Sequence, residues 1–122
     1  MKIRIEDNSV RMRLRKSEVS QLAEQGRLCA TTVFPEQVFE YCLVATPDIK
    51  DLEASFTRGT ITVRLPELWV RDWPDSSKVS FETSFDTGDS DLHILIEKDF
   101  VCLDRDPATQ KDQFAHPKQG KI

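Results

Sequence analysis

Lys2-Ile-Arg-Ile-Glu-Asp-Asn-Ser-Val-Arg-Met-Arg-Leu14 alternates basic and apolar side chains on either side of Asp7-Asn8, and the reading of this stretch decides the fold. Strict alternation is the period of a half-buried strand, and Asp and Asn tolerate the left-handed backbone of a two-residue hairpin loop. With Asp7 and Asn8 as that loop, Ile5 opposes Val10, Arg4 opposes Arg11, Ile3 opposes Met12 and Lys2 opposes Arg13. One face of the hairpin is then apolar and belongs on a core. The other is a block of like charge. Directly opposed like charges destabilise a strand pair, so this face requires acidic neighbours in the fold or an anionic partner outside it.

Outward from the hairpin, Ser17 to Gly26 reads as a short amphipathic helix, with Ser17 as N-cap, Gly26 as stop and Val19, Leu22 and Ala23 on one side. Leu28–Phe34 and Val38–Ala45 flank the turn Pro35-Glu-Gln, and Phe39, Tyr41 and Leu43 share a face. A third hairpin turns at Arg58-Gly59, between Leu52, Ala54, Phe56 and Ile61, Val63, Leu65; its Asp51 and Glu53 offer an acidic complement to the first if both share a sheet. Pro66 opens a helical turn that Pro74 ends, with Trp69 and Trp73 one turn apart. Val79–Phe85 and Leu92–Ile96 form the last hairpin around Asp86–Asp91.

The expected fold is therefore α+β and mainly antiparallel: about eight short strands in consecutive hairpins, curled into a bent or barrel-like sheet, with two short helices. Residues 1–105 form a single globular domain, and 106–122, with little to bury, a flexible C-terminal tail. No solenoid-type repeat is visible.

Composition narrows the function classes. A chain of 122 residues can bury a core without disulfide staples. It has no run long enough to span a membrane, and its charged start does not read as a signal peptide, so a cytoplasmic location is expected. The net charge of −4 is uneven, since residues 1–16 carry +4 and the remainder −8. An acidic protein is a poor general binder of nucleic acid. Cys29, Cys42 and Cys102 are odd in number and lack Cys-x-x-Cys spacing, which points to free thiols rather than a disulfide framework or a zinc site.

Several strings resemble a family of small bacterial proteins classed as a domain of unknown function. They are Lys2-Ile-Arg-Ile, Asn8-Ser-Val-Arg-Met-Arg-Leu, Lys16-Ser-Glu-Val, Thr60-Ile-Thr-Val-Arg-Leu-Pro66 and Ile96-Glu-Lys-Asp-Phe-Val-Cys-Leu-Asp-Arg105. The resemblance implies no activity, cofactor or catalytic residue. Members of the family end in an acidic tail with a Phe-Pro type motif, whereas this chain has the mildly charged Phe114-Ala-His-Pro117.

No P-loop, dinucleotide fingerprint, nucleophile elbow, His-Glu-x-x-His or Cys/His cluster is present, so no catalytic residue, cofactor or metal site is assigned and an enzyme is disfavoured. The first candidate site is the basic face, Lys2, Arg4, Arg11 and Arg13 with Arg64, because arginine forks bind phosphate and carboxylate. The competing reading is a structural charge ladder with Glu40, Glu53, Glu82 or Glu97. The second candidate is Trp69 with Trp73 as a partner or ligand surface, against lid packing over the sheet. His93 in an apolar strand and Cys102 near its end read as packing residues, and Asp86–Asp91 as a solvated loop that fails the calcium-loop pattern. The expectation is a small binding domain whose partner is a protein or a small anionic ligand, with an anion-handling enzyme and a self-associating homo-oligomer as alternatives.

Overall fold

The computed structural model describes residues 1–100 and 112–115. Its first hairpin pairs β1 (Lys2–Glu6) with β2 (Ser9–Leu14) in the register the alternation dictates, with Arg4 against Arg11 and Ile3 against Met12. Asp7 takes the positive φ of 48° that such a loop demands. Helix α1 (Lys16–Gln25) buries Val19 and Leu22 and stops at Gly26, whose φ of 73° is the left-handed C-terminal signature. Ser17 is not its cap: the Ser17 hydroxyl and N–H both donate to the Asp112 carboxylate, the N–H over 2.9 Å.

Three further hairpins follow: β3 (Arg27–Val33) with β4 (Val38–Thr46), β5 (Glu53–Thr57) with β6 (Thr60–Pro66), and β7 (Ser80–Asp86) with β8 (Asp91–Lys98). Between the last two lie α2 (Glu67–Asp72) and a 3-10 turn, Trp73–Asp75. The class is α+β, with eight strands and two α-helices among the described residues. The barrel-like expectation is corrected. The strands form two four-stranded sheets, β1-β2-β8-β7 and β3-β4-β6-β5, and neither closes on itself. Hairpins do supply the antiparallel outer pairs, but the central pairs, β2 with β8 and β4 with β6, are parallel. A parallel pair needs a crossover connection rather than a tight turn, which breaks the meander that a barrel of consecutive hairpins would require.

The chain divides into two compact units, one of residues 1–19 with those from 79 onward, the other of residues 20–78. In the first, Val10, Met12 and Leu14 alternate into the core beside Phe81, Ile94 and Ile96. In the second, Leu28, Tyr41, Leu43, Ile61, Val63 and Leu65 do the same, and α2 lies against β4 and β6 with Val70 buried.

The same order, strand–strand–helix–strand–strand, occurs twice, in residues 2–46 and in 53–98. At one constant spacing, Val10, Met12, Leu14, Val19 and Leu22 correspond to Ile61, Val63, Leu65, Val70 and Trp73, all buried, and Asp7 to Arg58, both at positive φ. The backbone bonds correspond too: between hairpins, Glu40 N–H to Gly59 O with His93 N–H to Asn8 O, and at the open ends of the β3–β4 and β7–β8 hairpins, Ala45 N–H to Gly26 O with Lys98 N–H to Val79 O. Each sheet takes one hairpin from each half, so the halves exchange hairpins.

Of the C-terminal stretch, Asp112 and Phe114 are tied to the first unit. The Asp112 carbonyl accepts from Lys16 N–H at 2.7 Å, Phe114 N–H donates to the Asp99 carbonyl at 2.9 Å, and the Lys98 ammonium lies 4.7 Å from the Phe114 ring centre. Cys102, His116 and, of the stretch read as a tail, residues 106–111 and 116–122 fall outside the described residues. No helix among the described residues is long and apolar enough to cross a membrane.

Candidate functional site

On the polar face of the first sheet, β8 runs parallel beside β2 and brings Glu97 opposite Arg13. The Glu97 carboxylate accepts from Arg11 Nε at 2.7 Å and from Arg13 Nε at 2.6 Å, and is itself nearly buried. Lys2 pairs with the buried Asp99 at 3.1 Å, and Arg4 with Glu6 at 2.9 Å. The like-charge face thus meets its acidic complement, supplied by Glu97 and Asp99 of the last hairpin and by Glu6 rather than by Asp51 or Glu53. Lys2, Arg4, Arg11 and Arg13 do line one shallow concavity of about 200 Å³. Arg64 is not with them: it lies on β6 of the second sheet, opposite Glu53. His93, on β8, faces Glu82 at 3.3 Å through Nε2 and Ser84 at 3.2 Å through Nδ1.

The two tryptophans part company. Trp73 is a core residue whose indole N–H donates to the Lys78 carbonyl at 2.8 Å. Trp69 is half-buried and, with Pro47, Ile49, Pro66 and Leu68, lines an open groove of about 630 Å³.

Two further features of the second unit were not read as sites in the sequence. The first is the end of the sheet at the β3–β4 loop. That loop has four residues, Phe34–Gln37, closed by Phe34 N–H to Gln37 O at 2.9 Å. Beside it, the β5–β6 turn comes so close that a Cβ on Gly59 would sit 3.1 Å from the Val38 carbonyl oxygen. At a φ of 78° only glycine holds this position without strain. The approach gathers Phe34, Val38, Phe39 and Phe56 around one concavity of about 400 Å³, with Glu36 on its rim. Val33 is 77% exposed, Phe56 66%, Phe34 53% and Val38 45%, high values for side chains of this kind. The signal was in the sequence as Val33-Phe34 and Val38-Phe39, doubled apolar residues where alternation calls for a polar one.

The second is a thiol pair. Cys29 and Cys42 are direct partners across β3 and β4 and are joined by a disulfide, which corrects the expectation of free thiols. Cys42 is fully buried and Cys29 exposed. Glu40 lies two residues from Cys42 on the same face.

A family model described as Family of unknown function (DUF7009) matches residues 1–118. Comparison with curated proteins and with solved structures gives no match.

Proposed function

We propose that this chain, which belongs to the family of unknown function DUF7009, is a protein-binding module that holds an apolar side chain of its partner between Phe34, Val38, Phe39 and Phe56. The carrying observation is the gathering of the exposed Phe34, Val38 and Phe56 with the half-buried Phe39 around one concavity, the exposed Val33 being paired with Val38 across the strands. Scattered apolar residues are ordinary on a surface, but a contiguous group rimmed by polar residues marks an interaction site. The close approach of Gly59 to the Val38 carbonyl sets the β5–β6 turn beside the start of β4. Aromatic rings presented by a fixed backbone give large contact area at little entropic cost. Glu36 on the rim favours a partner whose apolar anchor is followed by Lys or Arg. The basic face of the first sheet supports an anion site less well, since each of its cations already has a carboxylate within 3.1 Å.

The test is selection of displayed random peptides on the intact protein, with counter-selection on Phe34→Ser/Phe56→Ser, followed by calorimetry of the enriched sequences. Peptides with an aromatic or leucine anchor beside a basic residue are expected to bind, and to lose at least about tenfold in affinity on Phe56→Ser, the order expected for burying one apolar side chain. Arg11→Gln should leave them unaffected. Enrichment that ignores the Phe34 and Phe56 substitutions, or a dimer that these substitutions dissolve, would overturn the reading, the second in favour of self-association.

A further inference from the structure

The face of the second sheet that carries the disulfide has a ligand set. The two cysteine sulfurs and a carboxylate oxygen of Glu40 lie within 4.8 Å of one another. Glu40 is steadied by the Thr60 hydroxyl, which donates to its Oε1 at 3.5 Å, and the Arg27 guanidinium reaches to 3.9 Å from the Cys42 sulfur. The cysteine Cα atoms are 4.1 Å apart across the strand pair, and Thr62 follows on β6 beside Cys42.

We propose that reduction of the Cys29–Cys42 disulfide converts this face into a three-ligand site for a divalent cation of the zinc type, held by two thiolates and the Glu40 carboxylate with a fourth position open to water. Zinc takes thiolate sulfur at about 2.3 Å and carboxylate oxygen at about 2.0–2.2 Å in tetrahedral array, so its two sulfurs stand about 3.8 Å apart. Side chains on directly paired strand positions meet that separation by rotation about Cα–Cβ, with no movement of the ladder. Two thiolates and a carboxylate around a dication leave one net negative charge, and the Arg27 guanidinium is in place to balance it.

The chemistry closes. An external dithiol gives two electrons and two protons to the disulfide and leaves as its own cyclic disulfide; the sulfur–sulfur bond breaks and two thiols form. Cation binding then expels both thiol protons to solvent. In reverse, a disulfide oxidant takes two electrons from the thiolates, the sulfur–sulfur bond re-forms, and the cation is released. Metal and disulfide exclude each other, so the site reports on the thiol–disulfide balance around it. The corresponding positions of the first sheet hold Glu82, His93 and Leu95, so the repeated architecture does not itself impose the thiol pair.

The experiment titrates the full chain with cobalt(II), then zinc(II), after reduction by a trialkylphosphine, in wild type, Cys102→Ser, Glu40→Gln and Cys29→Ser, each checked for folding by circular dichroism. The expected result is one equivalent of cobalt bound with sulfur-to-metal charge-transfer absorption and release of about two protons, the cobalt then being displaced by zinc with no further proton release. Cys102→Ser should retain it, Glu40→Gln weaken it at least about tenfold, Cys29→Ser abolish the charge-transfer band, and the unreduced protein take up none. Absence of the band in folded, reduced wild type would overturn the site. So would its survival in Cys29→Ser or its loss in Cys102→Ser.

Discussion

At the scale of residues, Glu97 is the side chain on which the first hairpin depends. It is 12% exposed and holds both Arg11 and Arg13, which otherwise stand on a strand pair opposite Arg4 and Lys2. Its removal therefore strands several cations, whereas loss of one arginine leaves the other bonded. Glu97→Gln should cost about 2 kcal/mol in urea unfolding, in the range of hydrogen bonds to charged groups. Arg13→Gln, at an exposed pair, should cost less than about 1 kcal/mol. Equal effects would mean that solvent alone separates the cations. The need for an acidic complement was legible in the opening alternation, but its source was not. Glu97 reaches Arg13 through a parallel pairing of distant strands, which leaves no local pattern. Cys29 and Cys42 were missed for a related reason. A three-residue turn after Phe34 would set Cys29 opposite Leu43; the four-residue loop shifts the register by one and sets it opposite Cys42.

At the scale of elements, the start of α1 is where the C-terminal stretch is secured. Burial pushes the Glu18 carboxyl up, but the N-terminal ammonium, the Arg15 N–H and the Arg15 guanidinium outweigh it and hold Glu18 below its ordinary value of 4.5. The Ser17 hydroxyl, aided by the Ser17 N–H, Arg15 and Lys16, holds Asp112 below its ordinary 3.8. Both folded values are depressed, so the unfolded chain binds more protons in the window beneath the ordinary carboxylate range. Their stabilisation is complete above that range and is lost as pH falls through the lowered folded values. The urea midpoint should drop between about pH 5 and about pH 2, and Asp112→Asn should shallow the drop while lowering the plateau above it. An unchanged acid profile in that variant would show that the contact contributes nothing. Helix α1 itself was legible from Gly26 and the Val19–Leu22 face. The role of Ser17 was not, because its partner is a distant aspartate rather than its own helix.

At the scale of the whole molecule, strand number, helix number and the four hairpins were legible, since each rests on local alternation and turn chemistry. Sheet membership was not, and neither was the doubled strand–strand–helix–strand–strand order. The halves share a pattern of burial more than residue identity; among the pairs named above, Leu14 with Leu65 and Val19 with Val70 alone are the same residue. The parallel pairings differ in span: Glu40 to Thr60 on the second sheet crosses 20 residues, Arg13 to Glu97 on the first crosses 84. Loop closure makes the longer costlier by roughly 1.3 kcal/mol, so the second sheet should form first. Val63→Ala, at the β4–β6 pairing, should slow folding, and Ile96→Ala, at β2–β8, should chiefly speed unfolding, read from the two arms of a chevron plot. The opposite partition would reverse the order. On the ribosome the same span becomes a delay. Strand β2 leaves the exit tunnel long before β8 is made, and until then its open edge can template aggregation. Strand edges studded with charge resist that fate. Arg11 and Arg13, neutralised by Glu97 in the finished fold, are on the growing chain the charges that keep a waiting strand from joining a neighbour's.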